Sequence, residues 1–318
     1  MRATACRSGT RSSRSGDRPP TTGQSAVSRR RARTRLAHGG ATAVGRVRTS
    51  NQDDHGAGDD LFVVADGMGG HRGGEVASAE AVTGVLGAFD QRTRIGLAKA
   101  VDRANQAVLA RAAGDPDLFG MGTTLCALAL VRSEDGEMLA IANVGDSRVY
   151  RYGDGHLVQV TDDHSLVAEL VRSGELTEDE ASRHPQRNIL TRALGIEAAL
   201  PVDTWEVPAR AGDRYLLCSD GLFNELDDDA IAGVLVAQDD PELAAATLVR
   251  NAVTAGGHDN VTAVVVDVDV APADAPDWQR PEARVEVPSS GATRSARAAL
   301  ADRSRRWAFT FGRRRSGR

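Results

Sequence analysis

Five aspartates stand where apolar runs begin or end. Asp66 closes LFVVA, Asp146 follows MLAIANVG, Asp220 closes RYLLCS, Asp259 stands one residue ahead of VTAVVVDV, and Asp53 lies in VRTSNQDD, ahead of the LFVVA run. Taken singly, an aspartate beside Gly, Ser or Asn at a strand end reads as a turn former. Taken together they suggest chemistry, because carboxylates leaving several buried strands of one sheet system can converge on one rim. Such a cluster repels itself unless cations occupy it. Every candidate ligand is an oxygen and no Cys or His has zinc spacing, so the expected ions are hard, Mg²⁺ or Mn²⁺. Gly67 adds a backbone carbonyl, since a residue without Cβ lets the chain approach an ion closely.

The elements that must position these groups alternate between short β-type and longer helical runs. LFVVAD (61–66) reads as a buried strand. After a glycine-rich turn, Val76, Ala79, Val82, Val85, Leu86 and Phe89 recur at helical spacing, and Leu97, Val101, Ala104 and Val108 mark a second amphipathic helix. TTLCALALV (123–131), MLAIANV (138–144), RVYRY (148–152) and HLVQV (156–160) read as strands of an antiparallel meander. The Asp-Gly pairs at 135–136 and 154–155 supply the hairpin signal. Residues 161–200 are polar and irregular with short helical pieces. RYLLCSD adds a strand, two helical segments occupy 227–254, and VTAVVVDV (261–268) closes the unit as a strand buried on both faces. Adjacent hairpins with helices grouped in pairs argue against a doubly wound parallel sheet. The α+β class, with antiparallel sheets packed together and covered by helices, is expected.

The net charge of −5 over 318 residues hides a partition. Residues 1–37 carry ten arginines and one acid, and residues 272–318 carry eleven arginines and five acids, which leaves −20 for residues 38–271. The ends are rich in Arg, Ser, Ala, Gly and Pro, a composition that cannot offset the entropy of ordering, so both are expected to be disordered tails around a domain at 38–271. Attachment to nucleic acid or an anionic membrane would use RRRARTR or RRWAFTFGRRR, but neither run has the aromatic spacing for it, and no nucleic-acid partner is expected. No stretch approaches the length of apolar sequence that spans a bilayer, and the N-terminus lacks a secretory core, so the expected address is cytoplasmic. Cys6, Cys126 and Cys218 have no metal or disulfide spacing.

Eight runs, in this order, resemble the signature motifs of the metal-dependent Ser/Thr protein phosphatases of the type 2C class in their bacterial form. They are GRVRTSNQD (45–53), ADGMGGHRGGE (65–75), GMGTT (120–124), NVGDSRVYR (143–151), TDDHS (161–165), HPQRNILTRALG (184–195), LLCSDGL (216–222) and GGHDNVT (256–262). The resemblance covers about residues 40–270 and implies a four-layer α-β-β-α sandwich of two antiparallel sheets flanked by helix pairs. It implies that Asp66 bridges two Mn²⁺ or Mg²⁺ ions, with the Gly67 carbonyl on the first and Asp220 and Asp259 on the second, and that Asp53 is an outer ligand acting through water. Arg48 would grip the substrate phosphate. Asp146 resembles the ligand of a third, weaker ion, to which Asn188 would contribute, and residues 161–200 match the flap beside the active site, where His184, Pro185 and Arg187 are candidate contacts. Met68 stands where eukaryotic members have histidine, and His71 is the nearby candidate for substrate contact or proton donation. His164 and His258 read as structural. Two departures are Ala43, where an Asp is frequent, and Gln52, where a Glu precedes the Asp53 position.

The activity implied is hydrolysis of phosphoserine and phosphothreonine by a water activated between two metals, with phosphoproteins as partners, targets of Ser/Thr kinases or the kinases themselves, and a monomeric chain. Two alternatives differ: a phosphatase of a partner-switching pathway that controls a sigma-factor antagonist, and a metal-binding or phosphoprotein-binding module with negligible turnover. The first usually comes with a sensor domain, which is not visible here, and the intact set Asp66, Asp220, Asp259 and Arg48 argues against the second.

Overall fold

The run LFVVAD shows how the layers are built. In a strand, successive side chains face opposite sides; here Leu61, Val63 and Ala65 pack toward two helices, while Phe62 and Val64 pack toward a second sheet. Both faces are therefore apolar, and the run lacks the polar alternation of a half-exposed strand. The computed structural model describes residues 33–69, 72–134, 136–271 and 275–287.

In chain order the strands are β1 (Arg35–Ala43), β2 (Asp53–Gly58) and β3 (Leu61–Met68), followed by helices α1 (Gly73–Ala88) and α2 (Arg94–Ala113). Next come β4 (Gly122–Thr123), β5 (Leu125–Ser133), β6 (Gly136–Val144), β7 (Arg148–Gly153) and β8 (His156–Gln159). Two short helices, α3 (Leu166–Arg172) and α4 (Glu178–Ser182), precede β9 (Val202–Pro208) and β10 (Arg214–Cys218). The chain then forms α5 (Asp220–Phe223), α6 (Asp228–Ala237), α7 (Pro241–Ala255), β11 (Val261–Val270) and β12 (Arg284–Glu286). A five-stranded sheet has the order β1-β11-β10-β7-β8, and a seven-stranded sheet has the order β12-β9-β6-β5-β3-β2 with β4 against β3. All these pairings are antiparallel.

The three apolar clusters match four layers. One lies between α1, α2 and the seven-stranded sheet and includes Val82, Val85, Leu97, Val101 and Val108. A second fills the space between the sheets with Phe62, Leu128, Ile141, Trp205, Tyr215 and Val266. The third joins the five-stranded sheet to α6 and α7 through Leu216, Ile231, Leu235, Leu248 and Val265. Helix starts follow from their caps: Thr93 accepts from the Gly96 amide, Asp227 from Ala230, and Asp240 from Glu242 and Leu243 with Pro241 in the first turn. The α+β sandwich expected from the sequence is therefore the fold.

Three expectations need correction. The run from β5 to β8 is not one meander: β5 and β6 lie in the seven-stranded sheet, whereas β7 and β8 lie in the other, so the chain changes sheets at Gly145–Ser147. The hairpin at Asp154–Gly155 does form, with φ of 55° and 81°. Second, β1 and β2 precede the LFVVAD strand, and β1 begins at Arg35, inside the segment expected to be a tail. Third, residues 275–287 include β12 paired with β9, and Trp278 packs against the core between the sheets, so this part of the expected C-terminal tail is a strap. Residues 1–32, 272–274 and 288–318 of the two expected tails lie outside the described residues. No helix among the described residues is long and apolar enough to cross a membrane.

Candidate metal centre

The cleft lies where the two sheets expose their ends together. β3 delivers Asp66, Gly67 and Met68; the crossing from β6 to β7 delivers Asp146; the start of α5, just past β10, delivers Asp220; the turn before β11 delivers Asp259. These residues, with Arg48, Gln52, Gly69, Thr124, Asn188, Leu190 and Asn260, line one cleft of about 230 Å³. Five of the predicted metal-site residues and Arg48 are therefore brought together.

Asp53 is the exception, lying beneath the cleft without lining it. It pairs with Asp66 across β2 and β3 and is buried. Its Oδ2 accepts hydrogen bonds from Ser219 Oγ and Thr262 Oγ1, each at 2.7 Å, while its Oδ1 is buried with no partner. Asp220 has the same pattern: Oδ2 accepts from Asn224 at 3.1 Å and Oδ1 is buried without a partner.

Electrostatics set this cluster apart from ordinary turns. Burial pushes Asp66 well above the usual carboxylate range, and Asp53, Asp220, Asp146 and Asp259 push it further. Burial raises Asp146 to about 8, with Asp220 and Asp163 adding to it, and raises Asp220 to about 6, with Asp259 adding. Asp53 reaches about 7 by burial, against the opposing bonds from Ser219 and Thr262. A bound cation would oppose these upward shifts, because it favours the charged form that burial and like charge disfavour.

Among the described residues, no three Asp, Glu, His or Cys side chains are already drawn around a single ion-sized point. The carboxylates instead engage their neighbours. Arg48 donates to Asp259 Oδ2 at 2.6 Å, and Asn224 donates to Asp220 Oδ2 at 3.1 Å. The shared cleft and the repulsion across it weigh more here, since a side chain rotates about one or two bonds while the backbone fixes which groups can meet. Unpartnered carboxylate oxygens on Asp53 and Asp220 and an all-oxygen donor set fit hard divalent ions.

The backbone under the cleft is held by residues that carry no expected role. Thr124 Oγ1 accepts from the Asp66 amide at 3.0 Å and contacts Ser147 Oγ at 2.7 Å. Asn260 donates to the carbonyls of Val44 and Ser50, both at 2.9 Å, and accepts from the Gln52 amide at 2.8 Å, fixing the loop that carries Arg48. Both residues lie inside the quoted runs GMGTT and GGHDNVT, which were the available signal. A Cβ on Gly67 would stand 2.1 Å from the Gly74 carbonyl oxygen, so only glycine fits where β3 meets α1. From the flap, Asn188 and Leu190 reach the cleft; His184, Pro185 and Arg187 are not among its lining residues. His71 lies outside the described residues. His164 is buried, and His258 is exposed beside Glu225 at 2.7 Å.

Residues 43–259 match the family model described as Protein phosphatase 2C. The serine/threonine phosphatase stp of Listeria monocytogenes serovar 1/2a is 39% identical over 239 residues, which cover 71% of this chain and 93% of that one. The crystal structure of the Mycobacterium tuberculosis serine/threonine phosphatase PstP/Ppp superposes with a TM-score of 0.68 at 40% identity, covering 74% of this chain and 99% of that chain. A structure of the PstP catalytic domain in complex with two manganese ions superposes with a TM-score of 0.65 at 39% identity, covering 73% and 97%. The chain belongs to the protein phosphatase 2C family.

Proposed function

We propose that this chain is a metal-dependent serine/threonine protein phosphatase that hydrolyses phosphoserine and phosphothreonine in phosphoproteins with two divalent ions, Mn²⁺ or Mg²⁺. The observation that carries the reading is the meeting of Asp66, Asp146, Asp220 and Asp259 with Arg48 in one cleft. Divalent ions held by Asp66, Asp220, Asp259 and the Gly67 carbonyl would reverse the sign of the cleft for a dianionic phosphate and bring the pKa of water near neutrality. Asp53 supports this set from below, fixed by Ser219 and Thr262.

Arg48 orients the phosphoryl group, because its planar fork of donors suits two phosphate oxygens and its side chain is half exposed at the cleft wall. Water is the nucleophile in this reading. The described residues lining the cleft include no Cys, Ser or His, and the Thr124 hydroxyl is engaged with the Asp66 amide and Ser147. His71 is kept in the proposal as the group that contacts substrate or returns a proton to the leaving oxygen. Asp146 and Asn188 form the place of a third, weaker ion. A monomeric, cytoplasmic enzyme acting on targets of Ser/Thr kinases, or on the kinases themselves, completes the proposal.

The test is phosphate release from a phosphothreonine peptide by the purified chain. Turnover with Mn²⁺, abolished by EDTA and restored by excess Mn²⁺, is the expected result. No turnover on that peptide or on p-nitrophenyl phosphate at saturating Mn²⁺ would overturn the proposal in favour of a binding module.

A further inference from the structure

The crossing between the two sheets, which carries Asp146, is held at one residue. Gly145 has φ of 105°, a conformation that side chains rarely adopt, and a Cβ there would meet Thr124 Cβ at 2.6 Å. Its amide donates to His164 Nδ1 at 3.1 Å, and its carbonyl accepts from the His164 amide at 3.0 Å and from Asn143 Nδ2 at 3.1 Å. The residue before Asp146 is thus gripped at both ends by His164.

The same histidine also holds the flap. Its carbonyl accepts from the Thr191 amide at 2.8 Å, and the next residues continue the contact, with Ser165 bridged to Leu190 and the Leu166 amide donating to the Ile189 carbonyl at 2.8 Å. That short stretch carries Asn188 and Leu190 into the cleft. Ring orientation is set from the far side. Because Nδ1 accepts from Gly145, Nε2 carries the proton and donates to Asp203 Oδ2 at 3.0 Å, while Asp203 Oδ1 takes Arg192 at 2.7 Å. Burial and Arg192, acting against Asp203, lower the pKa of the imidazole and keep it neutral.

We infer that His164 is a positioning residue, oriented by Asp203, that fixes Asp146 and Asn188 relative to each other and so sets the weaker metal position of the cleft. This inference rests on the phosphatase reading only for the meaning of the site, since the geometry concerns the chain's own residues. Outer partners of this kind typically change metal affinity or activity by ~10- to 100-fold when removed.

Two substitutions separate ring geometry from bulk. In His164→Asn the Oδ1 atom can replace Nδ1 as acceptor for Gly145 but does not reach Asp203; in His164→Gln the amide can replace Nε2 toward Asp203 but offers Gly145 no acceptor. Mn²⁺ titration calorimetry on wild type, both variants and Asp146→Asn reads the binding directly, and kinetics on a phosphothreonine peptide read KM and kcat. The expected result is that His164→Gln weakens the weaker Mn²⁺ phase ~10-fold or more, as Asp146→Asn does, and lowers kcat more than it raises KM, while the tight phase is kept. His164→Asn should recover most of both. Equal behaviour of the two variants, or an unchanged weaker phase in His164→Gln, would overturn the inference. A wild type that turns over no phosphopeptide would defeat the functional proposal instead, and the calorimetry would still decide the role of His164.

Discussion

Arg48 and Asp259 illustrate how much of the site's behaviour depends on single contacts. Their 2.6 Å pair places a guanidinium on a carboxylate that the proposal assigns to a metal. Arg48→Ala is expected to cut kcat/KM for p-nitrophenyl phosphate ~10²-fold, the scale of losing one preorganised donor to a developing charge. Tight Mn²⁺ binding should survive, because Asp259 is then relieved of a competing partner. Arg48→Lys should not restore the rate, since an ammonium lacks the planar fork. Wild-type kcat/KM in Arg48→Ala would remove that residue from the account. Asp259 was legible as an aspartate ahead of an apolar strand, whereas the role proposed for Arg48 came from the resemblance of the run GRVRTSNQD. The contributions of Ser219, Thr262, Thr124 and Asn260 were not legible, because a hydroxyl or amide that braces a buried carboxylate looks in sequence like any other polar residue.

At the scale of elements, the strongly periodic or uniformly apolar segments could be read and the glycine-rich ones could not. β3, β5, β6, β10 and β11 are apolar runs, and α2 buries the anticipated Leu97, Val101, Ala104 and Val108. β1 escaped notice because its sequence is RLAHGGATA. Its Gly39 is needed for packing: a Cβ there would stand 2.2 Å from the Glu242 Cα of α7. The meander expectation failed at Gly145 because sequence spacing does not reveal which of two sheets receives the next strand. The strap at 275–287 was hidden by its composition, since scattered contacts hold it: Trp278 and Ala283 on the core, Arg280, the Glu286 pair with Arg94, and three paired residues. Trp278 packs against the core between the sheets with the Arg151 guanidinium 4.5 Å from its ring centroid, and Arg280 donates to Asp162 Oδ1 at 2.7 Å. Trp278→Ala is expected to cost about 1–3 kcal/mol, below the range for a fully buried tryptophan because the ring is only half-buried. Denaturant unfolding measures this, and an unchanged midpoint would show that the strap bears no load.

The whole molecule concentrates acid in its central part and leaves basic ends, and the cleft is where that acid is most confined. Asp53, Asp146 and Asp220 stand at about 7, 8 and 6 against an ordinary 3.8. Between pH 4 and 8 the metal-free native chain therefore binds more protons than the unfolded chain, so these groups contribute stability that is lost as pH rises through the window. Mn²⁺ binds the deprotonated form and opposes that loss. The difference in Tm between Mn²⁺ and EDTA should widen from pH 6 to pH 8 in scanning calorimetry; a constant or shrinking difference would contradict the repulsion described for the cleft. Carboxylates from β3, α5 and the turn before β11 are proposed to share divalent ions, and Mn²⁺ titration calorimetry on wild type and Asp66→Ala reads that sharing. At least two Mn²⁺ per wild-type chain are expected, with loss of that binding in Asp66→Ala and the circular dichroism spectrum unchanged. A wild type that binds no Mn²⁺, or an Asp66→Ala variant that binds it as wild type does, would contradict the proposed sharing.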